Sequence, residues 1–165
     1  MEPAHEREQI RLAVASIAET TGERPFGWYC RYAPSVNTRR LLVEEGGFLY
    51  DSDAYNDDLP YWTMVGDNKH LVIPYSLVNN DSRFAQGHFG APESFEEHLR
   101  YTFDRLYKEG ATYPKMMSIG LHMRVAGHPA RAQAVAKFIA YAKSFPDVWF
   151  ARRIEIARHW QENHA

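Results

Sequence analysis

Ile10, Val14 and Ile17 recur at helical spacing in a segment flanked by Glu6, Arg7, Glu8 and Glu19, and Gly22 stops it, so the pattern predicts an opening helix. Arg24 to Tyr29 then reads as a short strand. Ser35 can cap a second helix whose apolar positions include Val36, Leu41 and Leu42, closed by Gly46-Gly47. Phe48-Leu49-Tyr50 reads as the next short strand. Asp51 to Asn68 is polar and aromatic and too long for a simple connection, which makes it a candidate binding loop.

His70 to Tyr75 is an apolar run of strand length that Asn79-Asn80-Asp81 breaks, and an irregular, glycine-containing stretch runs on to Pro92. From Glu93 the spacing of Phe95, Leu99, Phe103 and Leu106 predicts an amphipathic helix that Gly110 terminates. Met117 to Arg124 reads as a buried strand. A helix with Val135, Phe138, Ile139 and Ala142 follows, then a short strand at Val148-Trp149-Phe150 and a last helix through Ile154, Ala157 and Trp160. Strands alternating with helices imply an α/β fold, a mainly parallel sheet wrapped by helices, either open or closed into a barrel. No repeat, low-complexity tract or linker interrupts it, so residues 1–165 read as one domain.

Hydrophobic residues make up 45% and charged residues 24%, the balance of a globular chain. A net charge of -2 provides no field that would gather nucleic acid or an anionic membrane, and neither is expected as a partner. The single Cys30 excludes an internal disulfide and a cysteine-cluster metal site, and fits a reducing, cytoplasmic setting. The first residues are charged and no stretch approaches the length of a membrane span, so no secretion or insertion signal is expected. The 14% aromatic content offers rings for the core or for a groove.

His122 stands at the end of the predicted strand Met117–Arg124, ahead of Gly127-His128-Pro129 and a helix, and strand ends are where α/β proteins display ligand-facing groups. Arg24 can orient a carboxylate by a two-pronged hydrogen bond, with Gly27 letting a ligand approach the backbone; the alternative is a surface ion pair and a turn. The acidic, ring-bearing loop with Asp51, Asp53, Asp57, Asp58, Tyr61 and Trp62 can hold a flat polar substrate or can be solvated. No H-x-x-x-H or H-E-x-x-H pair exists, so no metal site is expected from this chain; no G-x-S-x-G, phosphate loop or dinucleotide fingerprint is present, and no cofactor is expected.

Several segments together resemble the allantoinase-like branch of the polysaccharide deacetylase (NodB-homology) superfamily. They are Gly22-Glu23-Arg24-Pro25-Phe26-Gly27-Trp28-Tyr29, Tyr50-Asp51-Ser52-Asp53 with Asp58-Leu59-Pro60-Tyr61-Trp62, His70 to Tyr75, Asn80-Asp81-Ser82-Arg83-Phe84, Pro114 to His122, and Arg152 to Trp160. The resemblance implies a distorted (β/α) barrel and hydrolysis of non-peptide carbon–nitrogen bonds, either N-acetyl groups on sugars or the ring amide of a ureide. It further implies His122 as general acid and Arg24 as brace of a catalytic aspartate, sharing a pocket with the acidic loop. Trp28, Asp51, Asp53, Asp58, Trp62 and Asp81 are its implied substrate-binding residues.

The family's early Asp-Asp motif and its next histidine motif are expected before the opening helix and are not found, so the chain resembles roughly the C-terminal half of the barrel. The resemblance then implies an incomplete barrel that is inactive without the N-terminal half and is paired with that half or with another copy of itself. The same fragment could instead serve as a non-catalytic binding or interaction domain. A third reading, a stand-alone hydrolase with Asp51 or Asp53 as base, has nothing to fix either residue near a water.

Overall fold

The structure is a computed structural model that describes residues 2–31 and 33–164. The fold has two compact units, one running to Tyr75 and resuming at Ala151, the other Ser76–Phe150.

In the first unit α1, Pro3–Thr21, starts on a proline suited to the first helical turn and ends at Gly22, whose φ of 79° is the left-handed conformation that closes helices. Of its predicted apolar stripe, Ile10 is buried, Val14 packs beside it, and Ile17 is exposed. Ile10 meets Leu41 and Leu42 of α2, Thr38–Glu45, with Val14, Trp28 and Phe48 around them. Glu6 is buried in the same seam, where its carboxylate accepts hydrogen bonds from the hydroxyls of Ser35, at 2.6 Å, and Thr38. Ser35 therefore shapes the turn into α2 rather than capping it, and Val36, expected in the core, is fully exposed ahead of the first helical turn.

The first unit's sheet contains β1, Gly27–Trp28; β2, Tyr50–Asp51; β3, Tyr61–Val65; and β4, Asn68–Val72, in the order β1-β2-β4-β3. β1, β2 and β4 run parallel, as expected, and β3 is an antiparallel edge strand paired to β4 from Tyr61↔Val72 to Val65↔Asn68. The stretch read as an unbroken loop thus contains half a hairpin, turning at Gly66 with φ of 59°. β2 begins two residues later than expected because Phe48 turns inward against Trp28, edge-on at 5.7 Å. α6, Arg153–Asn163, begins with a reciprocal Arg152–Glu155 cap, and its Arg153 guanidinium donates to Ser52 Oγ, Ile73 O and Pro74 O at 3.0–3.2 Å. These bonds dock the helix start on the carboxyl ends of β2 and β4.

The second unit is built on α3, Pro92–Gly110, and α5, Pro129–Lys143, whose facing stripes form a core of Phe95, Leu99, Phe103, Phe138 and Ala142. Each such large apolar side chain contributes roughly 1.5–3 kcal/mol by leaving water. The strand expected from Met117 to Arg124 is reduced to one parallel bridge, Gly120 with Asn80. Its partner chain curls into a 3-10 turn at Asp81–Phe84, so no ladder can continue. Past the bridge the chain enters a short helix, α4, Met123–Ala126. The short strand expected at Val148-Trp149-Phe150 does not form: Val148 packs on the helical core, while Trp149 and Phe150 are exposed.

Candidate functional site

Parallel strands present chemistry just past their carboxyl ends. Here β1 runs into Tyr29-Cys30, β2 into Ser52-Asp53, and β4 into Ile73-Pro74-Tyr75. Asp51, the last residue of β2, is 0% exposed. Its Oδ2 accepts from Arg39 Nε at 2.6 Å and from His70 Nε2 at 3.0 Å, and its Oδ1 accepts from Arg39 Nη2 at 3.0 Å and from the Asp53 N–H at 2.9 Å. Burial pushes this carboxyl upward, but the His70 hydrogen bond and the Arg39 guanidinium outweigh it and hold the group at about 2. The carboxylate ties α2, β2 and β4 together and has no surface to offer a substrate.

Asp53 Oδ1 accepts from the Cys30 N–H at 2.8 Å, whereas Oδ2 is buried without a hydrogen-bond partner. Burial above all, with the Asp51 charge added, pushes this carboxyl above its ordinary value. Around these ends stand Tyr29, Tyr55 and Tyr75. The hydroxyls of Tyr29 and Tyr55 lie 3.2 Å apart, and the Tyr75 ring leans on both, with centroids at 5.0 and 6.1 Å.

In the second unit Asp81 is also 0% exposed. The backbone is still extended at His122, with φ -109° and ψ 127°, and then turns into α4, which brings two N–H groups onto one carboxylate oxygen. Asp81 Oδ2 accepts from the His122 N–H at 2.7 Å and the Ala126 N–H at 3.1 Å, while Oδ1 accepts from His122 Nδ1 at 2.6 Å. A carboxylate so placed fixes the ring's orientation and keeps a proton on Nδ1, which leaves Nε2 as the working nitrogen. The His122 side chain is 36% exposed.

Other expected residues stand elsewhere. Arg24 precedes β1 at the amino end of the parallel strands, opposite Tyr29 and Asp53. There its Nη2 donates to Gly46 O at 2.7 Å and its guanidinium lies 5.5 Å from the Phe48 ring centroid. Among the described residues Arg24 meets no carboxylate, and a two-pronged carboxylate contact is made by Arg39 on Asp51. Gly27 makes room for the Tyr50 ring, which an added Cβ would meet at 2.1 Å, rather than for a ligand. Trp28, expected to bind substrate, packs against the α1–α2 core. Trp62 Nε1 donates to His164 O at 2.7 Å, with the Lys69 ammonium 4.8 Å from its ring centroid, so it holds the end of α6. Asp58 is exposed in a turn where its N–H donates to Asp57 Oδ1. Asp51 and Asp81, also expected to touch substrate, are 0% exposed, and their carboxylates hold Arg39 and His70, and His122, respectively.

Arg39, His70, Arg153, Tyr29, Tyr55 and Tyr75, which the structure sets around these carboxylates and strand ends, are not among the site residues expected from the sequence. The strand ends alone would have pointed to Tyr29 and Tyr75; Arg39 and Arg153 carry no local signal, since each reaches its partners from a helix. Among the described residues no group of three or more His, Cys, Asp or Glu side chains is placed to hold a metal ion. No helix is long and apolar enough to cross a membrane.

No family model matches the chain. It is 37% identical to a putative polysaccharide deacetylase of Schizosaccharomyces pombe, an alignment covering 98% of this chain and 56% of that protein. Among solved structures, it superposes with a TM-score of 0.94 and 54% identity on a probable polysaccharide deacetylase of Pseudomonas aeruginosa PAO1, and equally on a Puue allantoinase, covering 99% of this chain and 55% of each. A putative polysaccharide deacetylase of Mycobacterium smegmatis gives a TM-score of 0.81 at 27% identity, covering 98% and 58%. The chain spans about half the length of the relatives it matches.

Proposed function

The chain belongs, over about half their length, to the polysaccharide deacetylase and allantoinase-like proteins, and from that membership we propose that it supplies the proton-donating part of a hydrolase of non-peptide carbon–nitrogen bonds. The Asp81–His122 pair carries this reading, because it is a buried carboxylate holding Nδ1 of an accessible imidazole. An amide nitrogen leaves poorly as an anion. Protonation from Nε2 of the imidazolium, as the carbon–nitrogen bond breaks, makes the departing group a neutral amine or urea nitrogen, and Asp81 stabilises the positive ring before the transfer. A positioned general acid of this kind contributes about 10²–10⁴-fold.

The acid alone does not hydrolyse an amide, since water must also be activated. Asp51 is saturated by Arg39 and His70, and the free oxygen of Asp53 is sealed from solvent, so neither serves as the base. We assign the base to the part of the longer relatives that this chain does not match, and propose that the chain is inactive without it, pairing with that part or with itself. We propose a small cyclic amide or ureide over an N-acetyl sugar on the segments Asp58-Leu59-Pro60-Tyr61-Trp62 and Met116 to His122, which resemble the allantoinase-like members.

The test mixes the chain with the separately expressed remaining half of a longer relative and assays allantoin and N-acetylated chitooligosaccharides. Turnover is expected only in the mixture, with allantoin preferred, and His122→Ala should lower it by about 10²-fold or more. A His122→Ala mixture as fast as the parent would remove the imidazole from the chemistry. Silence in every mixture would favour a non-catalytic binding module.

A further inference from the structure

We infer that Tyr29, Tyr55 and Tyr75 form the wall that recognises the flat, amide-bearing ring of the substrate, with a phenol hydroxyl of the Tyr29–Tyr55 pair donating to a ring carbonyl. The inference rests on the hydrolase reading and deepens it, because it assigns a substrate class to side chains that neither the fold nor the acid explains. Tyr29 directly follows β1, Tyr55 follows β2 in the same loop as Asp53, and Tyr75 closes the segment after β4. All three therefore stand past the carboxyl ends of parallel strands, where α/β sheets present ligand contacts.

Their geometry is that of an angled trough. The Tyr29 and Tyr75 rings are tilted by 50° and the Tyr55 and Tyr75 rings by 67°. The first pair is tilted and the second edge-to-face, and Tyr29 remains 46% and Tyr55 45% exposed. An exposed aromatic face takes a flat conjugated ring in an offset stack, worth more than the area it covers. Tyr75 is held in place from behind by the Arg153 guanidinium, 5.8 Å from its ring centroid and anchored on Ser52, Ile73 and Pro74.

The hydroxyl pair adds direction to the stacking. Two phenols carry two protons and share one hydrogen bond, so one proton is left without an acceptor among the described residues and can donate to a ligand. Burial, helped by the neighbouring Tyr55 hydroxyl, raises the Tyr29 phenol well above its ordinary value, and it stays a donor through the neutral range. A planar cyclic amide offers a conjugated face and carbonyl oxygens within the same plane. An N-acetyl sugar presents several ring hydroxyls that need more polar partners than three phenols supply.

The test uses the chain labelled with ¹³C-tyrosine and titrated with hydantoin, with N-acetylglucosamine in parallel, the Tyr29, Tyr55 and Tyr75 signals being assigned through Tyr→Phe variants. Hydantoin should move those signals, and the Tyr29→Phe/Tyr55→Phe double variant, which keeps both rings, should weaken binding about tenfold. Unmoved signals, or N-acetylglucosamine binding as tightly as hydantoin, would overturn the inference. The double variant in the reconstituted mixture separates the two levels of the argument. Full allantoin turnover with the variant would sink the wall and leave the hydrolase reading intact, whereas tyrosine shifts without turnover in any mixture would keep the wall and sink the hydrolase.

Discussion

Asp51 in the first unit and Asp81 in the second are both 0% exposed, and each accepts a hydrogen bond from a histidine ring, at 3.0 and 2.6 Å. They differ in what completes the shell. Asp51 has the Arg39 guanidinium on both oxygens, and its histidine, His70, is only 5% exposed. Asp81 has two backbone N–H groups, no Lys or Arg among the described residues, and a histidine 36% exposed. A guanidinium neutralises a buried carboxylate within the fold and leaves nothing for chemistry. Where backbone dipoles stand in its place, the carboxylate charge is directed at the one ring that reaches solvent. Both sites look alike as an Asp–His pair, and only the first is saturated.

The largest expected effect breaks that symmetry. Asp51→Asn leaves Arg39 and His70 facing a neutral amide and should cost about 3 kcal/mol of stability, at the lower end for a broken buried pair because Arg39 is one-third exposed. Asp81→Asn should cost about 1–2 kcal/mol, since the amide oxygen can still serve both backbone donors. Urea unfolding of the two variants side by side measures the gap. Equal losses would mean that Asp81 is as structural as Asp51.

The converse holds for the ring. In Asp81→Asn the His122 and Ala126 N–H groups keep the amide oxygen at the Oδ2 position, which aims the NH₂ at Nδ1. The ring nitrogen must then accept instead of donate, and the proton of neutral His122 moves to Nε2. Imidazole ¹⁵N chemical shifts should report the exchanged tautomer, and turnover in the reconstituted mixture should fall by about 10²-fold or more despite the modest stability cost. An unchanged tautomer would detach Asp81 from the acid.

Much of this architecture was legible along the chain, and the losses have specific physical causes. Helical periodicity located α1, α3, α5 and α6, and the apolar run His70 to Tyr75 overlaps β4 only at His70–Val72, the strand starting two residues earlier on exposed Asn68 and Lys69 and ending at Val72. β3 was hidden because Tyr61-Trp62-Thr63-Met64-Val65 sits on an edge with most of its positions only partly buried, so no alternation marks it, although Gly66-Asp67 was a readable turn signal. Met117–Arg124 has strand composition but lacks a neighbour to pair with, and composition cannot show that. The sites were harder still. Asp81 and His122 lie 41 residues apart and Asp51 and Arg39 lie 12 apart, so each residue could be suspected singly while its partner, and hence its role, could not. Arg24 has the residue type for a carboxylate brace, and among the described residues it meets Gly46 O and the Phe48 ring instead of a carboxylate.

The smallest effect concerns the two carboxyls of β2's end and has opposite signs for them. The Asp51 carboxyl is held at about 2 in the fold, below its ordinary 3.8, so its contribution to stability is complete above that ordinary value and is lost as pH falls through about 2; the shift corresponds to about 2 kcal/mol. Asp53 is pushed the other way by burial, so its contribution is complete at low pH and is lost as pH rises through its raised value. Asp53→Asn removes a poorly solvated charge, and the amide oxygen keeps the Cys30 N–H. The variant should therefore be neutral or more stable by up to about 1 kcal/mol at pH 7, with that advantage vanishing in acid. Stability curves of both variants against pH should separate from the parent as pH rises out of strong acid, Asp51→Asn falling below it and Asp53→Asn, at higher pH, rising to or above it. An Asp53→Asn loss as large as that of Asp51→Asn would mean the second oxygen of Asp53 is held after all, and that β2 ends in two braces instead of one.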